Sequence, residues 1–414
     1  MNYRFARPFG PGLIMLAILS ACTVDEMPEP VVSDVVRIAV PAGSQSSSPN
    51  LAVGPDGTVV LGWLEADGSG HALKFSVLTD SVWGDARSVA RGEHWFVNWA
   101  DFPSVVPISA RLWAAHWLVS QPAGGYAYDI FVALSADSGQ SWSEPVMPHR
   151  DGTATEHGFV TLYPREAGVG LLWLDGRNMV NEPGDDIAAS GMTLRAATLS
   201  PDLMLSDEVL VDGLICDCCQ TDVALTSEGP VVIYRDRTAG EIRDIYVSKN
   251  VGNRWQDVRA VANDNWEIPG CPVNGPVIGA QEKTVAVAWF TAANSVPRVQ
   301  VGFSDDAARS FATPIDVARG ETLGRVGIAM LSEGRIAVSW LRKTPTKSAE
   351  VCVRRVSVDG QLGPVHVIST GHDVSSFSVP QMVRTGDALV FAWTDQIDGV
   401  NRVMSARISI DSLR

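Results

Sequence analysis

Hydrophobic and polar positions alternate over short runs along nearly the whole chain, and almost no segment carries the period of an amphipathic helix. One pattern recurs: a short strand, a Gly-containing turn, then a longer apolar strand closing on an aromatic. "PNLAVGPDGTVVLGWLE", "PSVVPISARLWAAHWLV", "GFVTLYPREAGVGLLWLD" and "TDVALTSEGPVVIYRD" are the first copies; "GPVIGAQEKTVAVAWFT", "VGIAMLSEGRIAVSWLR" and "VPQMVRTGDALVFAWTD" complete the series. The closing aromatics are Trp63, Trp117, Trp173, Tyr234, Trp289, Trp340 and Trp393. Their spacing of about 51 to 61 residues is too regular for chance and too long for helical repeats.

Each unit runs on into a third and a fourth strand, "HALKFSVL" and "WGDARSVARG" in the first. Antiparallel four-stranded units repeated around an axis are propeller blades. The pattern predicts an all-β, seven-bladed β-propeller, with six blades and an irregular extra unit as the alternative count. The last unit ends at "NRVMSARISIDSLR" without a fourth strand, whereas "DVVRIAVPAG" (Asp34 to Gly43) looks like the fourth strands "WQDVRAVAND" and "FATPIDVARG". The N-terminal strand is therefore expected to complete the last blade and close a single domain over residues 34–414.

Composition adds limits. The chain is 46% hydrophobic and 19% charged, and its net charge of −15 argues against nucleic acid or an anionic membrane surface as a partner. A monomer is expected. Arg4 and Arg7 precede the apolar run "LIMLAILSAC", a secretory signal too short to span a bilayer. Its end, "LSAC" (Leu19 to Cys22), resembles the lipobox of bacterial lipoproteins. That resemblance implies a signal peptide over 1–21, lipid on Cys22, a tether over 22–33, and attachment to an envelope membrane. Thr23 stands where inner-membrane lipoproteins carry Asp, which favours the outer membrane.

Between the third and fourth strands of the second unit lies "SADSGQSW" (Ser135 to Trp142), an S-x-D-x-G-x-x-W turn. "SKNVGNRW" (Ser248 to Trp255) and "SDDAARSF" (Ser304 to Phe311) are weaker copies, and "SVLTDSVW" (Ser76 to Trp83) keeps only the ends. On these motifs the chain resembles the sialidase-like propellers with BNR or Asp-box repeats, in which such turns face away from the active site. The resemblance implies three arginines that clamp a substrate carboxylate, a Tyr–Glu nucleophile pair and an Asp acid/base. Ser47, in "SSSPNL", stands where the first arginine belongs, and a hydroxyl cannot replace a bidentate guanidinium. Asp67 falls in about the loop of the acid/base, Arg325 precedes an inner strand, and Tyr234 replaces a blade tryptophan. The site thus reads as a degenerate sialidase site.

In an antiparallel blade, the loop entering the inner strand and the loop after the second strand open on one face, around the central funnel. That rule gathers Asp101, Glu156, His157, Cys216, Cys218, Cys219 and Cys271 from the entering loops. It adds Asp175, Arg177, Arg235, Asp236, Arg237, Arg243 and Asp244 from the loops after the second strands. Asp67, Asp101 and Asp236 are the acid/base candidates; Glu156, His157, Asp175, Arg177, Arg235, Arg237, Arg243, Asp244 and Arg325 are the candidates for ligand contact. Plainer roles stand beside these: Asp and Arg pairs that stiffen loops, His157 as a hydrogen-bonded loop residue, and Asp101 as a turn cap. Cys352, in "AEVCVRRV", reads as a buried thiol.

The cysteines leave three readings open. In an oxidising envelope, a disulfide would staple Cys271 to Cys216, Cys218 or Cys219. Thiolates from the same residues, with His157 as a further ligand, would suit copper(I) or zinc. A reactive thiol or strained disulfide is the third reading. The expected function is recognition of a carbohydrate or other envelope polymer. A glycoside hydrolase or a thiol- or metal-dependent enzyme is the competing expectation.

Overall fold

The computed structural model describes residues 34–179 and 190–414, apart from 207, 253, 333, 346–348, 370–373 and 375–376. The signal segment, Cys22 and the tether lie outside the described residues.

Seven antiparallel sheets follow one another along the chain. The inner strands are Ser46–Val53, Ser104–Pro107, His157–Arg165, Asp222–Thr226, Val277–Gln281, Thr322–Met330 and Gln381–Thr385. Each packs beside the next, and the last beside the first, so the ring is closed. Val36–Ile38 supplies the outer strand of blade seven: it pairs with Val400–Ser409, placing Val36 opposite Arg407 and Ile38 opposite Ser405. The expected closure is therefore present, and the chain is a seven-bladed β-propeller.

The second strand of each blade is covered by sheets on both sides, which is why its sequence is a continuous apolar run and does not alternate. Its closing aromatic is buried in every blade; Trp63, Trp173, Tyr234, Trp289 and Trp393 are wholly so. The core clusters span blade junctions, as where Leu61 and Trp63 of blade one meet Val390 and Val403 of blade seven.

Two details differ from the sequence reading. Blade two has only three regular strands, and its fourth is reduced to one bridge between Val132 and Val146. Pro145 and Pro148 flank that bridge and remove amide donors from the edge. The two weaker turn motifs also differ from each other. Ser304–Phe311 repeats the bonding of Ser135–Trp142: Asp137 accepts from the Ser141 amide at 2.9 Å and the Ser141 hydroxyl at 2.6 Å, and Asp306 does the same with Ser310. Ala308 (φ 63) takes the left-handed position that Gly139 (φ 76) holds in the first copy. Ser248–Trp255 has no aspartate and is a plain hairpin pairing Asn250 with Trp255. Ser76–Trp83 turns through Asp80 (φ 50) and Ser81 (φ 65), the signature of a tight hairpin with two left-handed residues.

Candidate functional site

The face opposite the Asp-box turns is the mouth of the ring. The inner strands and the loops entering them surround a central cavity of about 390 Å³. The loops are tied to one another by a repeated device, in which a side-chain acceptor in one blade takes an amide from another. Asp101 accepts from the Phe159 amide at 2.8 Å, Asn274 from Arg325 at 2.8 Å, Asp222 from Ile278 at 2.9 Å, and Thr394 from Ser48 at 3.2 Å. Phe159 (φ 51), Arg325 (φ 55) and Ser48 (φ 55) all sit in left-handed bulges that aim these amides. Asp101 is thus first a ring tie. Gly158 must be glycine, because a Cβ there would lie 1.9 Å from the Asp101 carboxylate.

The other oxygen of Asp101 accepts from the Tyr128 hydroxyl at 2.7 Å, and Glu156 lies 2.7 Å from the same hydroxyl. A phenol has one proton to give, so one of the two carboxyls must supply the second. Burial pushes Asp101 up to about 7 and Glu156 up to about 8, with Asp101, Asp217 and Cys271 adding to the rise at Glu156. At neutral pH this trio holds a proton, and Glu156, the less buried member, can donate it. Tyr128 was missed from the sequence. It opens the third strand of blade two, directly after a loop on the mouth side, so the face rule itself could have found it.

"ICDCC" forms the turn entering blade four. Cys216 donates an amide bond to the Arg235 carbonyl at 3.0 Å, which turns its side chain inward. Its sulfur lies 3.5 Å from that of Cys219 and 3.9 Å from that of Cys218. Arg243 donates to the Cys216 sulfur at 3.2 Å, and the Asn274 amide donates to the Cys219 sulfur at 3.4 Å. Cys216 and Cys219 are buried, Cys218 is half-buried and Cys271 is exposed on the neighbouring loop. The thiols of Cys218 and Cys219, and then Arg235 and Arg243, hold Cys216 well below the usual thiol range. Burial pushes Cys219 up to about 12, and Cys216 and Cys219 push Cys218 up as well. Contact with Cys218 lowers Cys271. No disulfide joins any of the five described cysteines, and Cys352 is wholly buried in blade six.

Most predicted arginines are consumed by the scaffold. Arg235, 2% exposed, donates to the carbonyls of Asn274, Arg243 and Phe290 and locks blade four to blade five. Arg237 is held by Glu241 and Asp217, and Arg243 by Glu241 besides Cys216. Asp244 caps the amides of Asn265 and Trp266. Arg177 is bidentate on Asp175 and also reaches Glu208. Asp236 lies in the loop that carries Arg237, Arg243 and Asp244, and burial pushes it up to about 7. Asp67 ends the second strand of blade one but lines neither the central cavity nor the recess beside it; it pairs with the exposed Arg91 on the outer strand.

His157 is not beside the cysteines. It bonds Asp151 at 3.1 Å and stacks on His149, with ring centres 3.8 Å apart and planes at 3°. Asp129, His149 and His157, or Asp151, His157 and Asp175, bring three potential ligand atoms together. The rings are parallel, so no ion can lie in the plane of both, and Arg177 already balances Asp151 and Asp175.

Arg325, whose amide is held by the same Asn274 that donates to Cys219, stacks over Trp99 at 5.0 Å, and Trp99 meets Phe377 edge-on at 5.4 Å. Burial lowers Arg325 to about 10, and its Nε is buried without a partner. Ser47, Ser48, Trp99, Phe377 and Asn401 line a recess of about 140 Å³ beside the central cavity. Tyr234, buried and bonded to Asp212 at 2.7 Å, serves the core.

No family model matches the sequence, and no curated protein matches it. Solved structures do resemble it. The GH93 α-L-arabinofuranosidase of Fusarium graminearum, solved with arabinobiose, is 10% identical with a TM-score of 0.50, covering 92% of this chain and 98% of that one. An α-L-arabinanase of Penicillium chrysogenum complexed with arabinobiose is 11% identical with a TM-score of 0.49, covering 94% and 100%. A sialidase of Trypanosoma rangeli in complex with the inhibitor DANA is 12% identical with a TM-score of 0.45, covering 78% of this chain. The chain spans 56% of that sialidase's length. Strand order, ring closure and this likeness agree: the chain has the fold of the sialidase-like seven-bladed β-propellers.

Proposed function

We propose that the protein recognises a neutral carbohydrate at the mouth of the propeller, held at an envelope membrane by lipid on Cys22. The observation that carries this is the Trp99–Phe377 shelf beside the recess lined by Ser47, Ser48 and Asn401. Phe377 is 63% exposed, and a large aromatic face next to hydroxyl and amide groups suits the apolar face and hydroxyl rim of a sugar ring. Ser47 lines this recess where the sialidase resemblance calls for an arginine, and Arg177, Arg235, Arg237 and Arg243 are engaged elsewhere. Arg325, stacked over Trp99, is the one candidate arginine left beside the shelf; with Ser47 in place of the first arginine, an anionic sugar would lack a three-arginine clamp, whereas a neutral one needs none. The Fusarium neighbour, solved with arabinobiose, carries a neutral sugar on this fold.

Hydrolysis is the second reading, favoured by Glu156, which is protonated near neutrality and sits beside a second carboxyl. Glycan-array binding of the purified chain tests recognition. Neutral oligosaccharides should bind, and Trp99→Ala or Phe377→Ala should weaken binding about tenfold, consistent with loss of one aromatic contact. Binding confined to sialosides would refute the neutral assignment. Product release from a bound oligosaccharide, abolished by Glu156→Gln, would move the protein to the hydrolases. Loss of membrane attachment in Cys22→Ala tests the anchor.

A further inference from the structure

The cysteine turn lies outside the recess just assigned to a ligand, and its geometry is specific. Four-coordinate zinc holds sulfur at about 2.3 Å, which places neighbouring sulfurs about 3.8 Å apart, and other thiolate-bound metals are of similar size. The separations of 3.5 and 3.9 Å around Cys216 match that spacing and are far too long for a disulfide, whose sulfurs are about 2.05 Å apart. All three ligand atoms lie within 4.8 Å of one another.

Three features mark this as a built site and not a chance cluster. Arg243 and the Asn274 amide each donate to a sulfur, as donors around metal-bound thiolates do. Those donors are fixed in turn, Arg243 by Glu241 and the Asn274 loop by Arg235. Three thiolates on a monovalent ion leave two negative charges, and two buried arginines stand beside them. Asp217, the carboxylate nearest in sequence, is paired with Arg237 and is not part of the sulfur group.

We propose that Cys216, Cys218 and Cys219 form a three-sulfur site for a soft monovalent metal ion, copper(I), opening on the mouth through the exposed Cys271. Soft thiolates favour such an ion, and a trigonal set suits it, whereas structural zinc needs a fourth ligand. Binding is a ligand exchange without electron transfer: copper(I) leaves the donors that delivered it, each ligating sulfur still protonated releases its proton to solvent, and three Cu–S bonds form. Cys271, exposed beside Cys218, is the sulfur an incoming ion meets first.

The test is a titration of the full chain, purified anaerobically without chelator, with copper(I) held by bicinchoninate and, separately, with zinc(II). One copper(I) should bind per chain, with near-ultraviolet thiolate-to-copper absorption and with Cys216, Cys218 and Cys219 protected from alkylation. Cys218→Ser, half-buried and so the least disturbing to folding, should weaken copper(I) at least about 100-fold, and Cys271→Ser less than about tenfold. Cys352→Ala should leave copper(I) binding unchanged. Zinc bound in preference with all four sulfurs protected, a disulfide among the four in protein prepared without reductant, or no retained metal would each overturn the assignment.

Discussion

On the turn face, Asp137 and Asp306 each gather amide and hydroxyl donors from their own loop; on the mouth face, Arg235 gathers carbonyls from two loops and a strand in two blades. The charged groups respond in opposite ways. Bonds from Ser141 and then Ser135 bring Asp137 down to about 2. At Asp306 burial pulls upward, but the bonds from Ser310, Ser304 and Arg309 outweigh it and bring it to about 2. At the mouth, burial dominates and pushes Asp101, Glu156, Asp222 and Asp236 up to about 7, 8, 6 and 7. The turn aspartates therefore hold the fold as anions, whereas Asp101, Glu156 and Asp236 keep their protons up to the neutral range; Asp175, held by Arg177, is lowered instead. That contrast is the usual mark of a face arranged for something other than stability.

The contrast can be broken at several points. Arg235→Met should have the largest effect, because it strands buried carbonyls of Asn274, Arg243 and Phe290; about 3 kcal/mol or more is expected in denaturant unfolding. The damage should include loss of order at the cysteine turn, read as faster alkylation of Cys216. Asp306→Ala should cost about 1 kcal/mol, in the range of a lost cap, and should leave copper(I) binding unchanged. An effect on the metal would mean that the two faces are not independent.

The smallest effect concerns pH. Asp101 and Glu156 rise from 3.8 and 4.5, so the folded state binds their protons more tightly than the unfolded chain does. Their contribution to stability is full below the unfolded values and is lost as pH rises through about 7 and 8. The turn aspartates do the reverse: their contribution is present above the ordinary carboxylate range and lost as pH falls through about 2. Stability measured across the neutral range should therefore decline with pH, and Asp101→Asn with Glu156→Gln should flatten the decline. An unchanged slope would mean that the Tyr128 trio does not share a proton.

The repeat was legible because a blade needs an apolar second strand with an aromatic end, and that demand shows in one dimension. Ring closure by Val36–Ile38 was legible because the fourth strands resemble one another and one was missing. That Cys271 lies on the same face as the cysteine turn, beside Cys218, followed from strand parity alone, since antiparallel strands return alternate loops to the same face. Side-chain direction was not legible. Nothing in "YRDR" tells that Arg235 points inward to carbonyls, and nothing in "EHG" tells that His157 turns to His149 and away from the cysteines. The Trp99–Phe377 shelf joins blades far apart in the chain, and its parts look like ordinary loop aromatics. The worn turn at Ser304 was legible as a motif, but only its aspartate separated it from the hairpin at Ser248.

Copper K-edge X-ray absorption of the copper(I)-loaded full chain tests the central claim most directly. The account predicts a three-coordinate, all-sulfur copper(I) in the wild-type protein, unchanged in Cys271→Ser and reduced to two sulfurs in Cys218→Ser. Copper surrounded by nitrogen or oxygen, or a spectrum indifferent to Cys218, would contradict it.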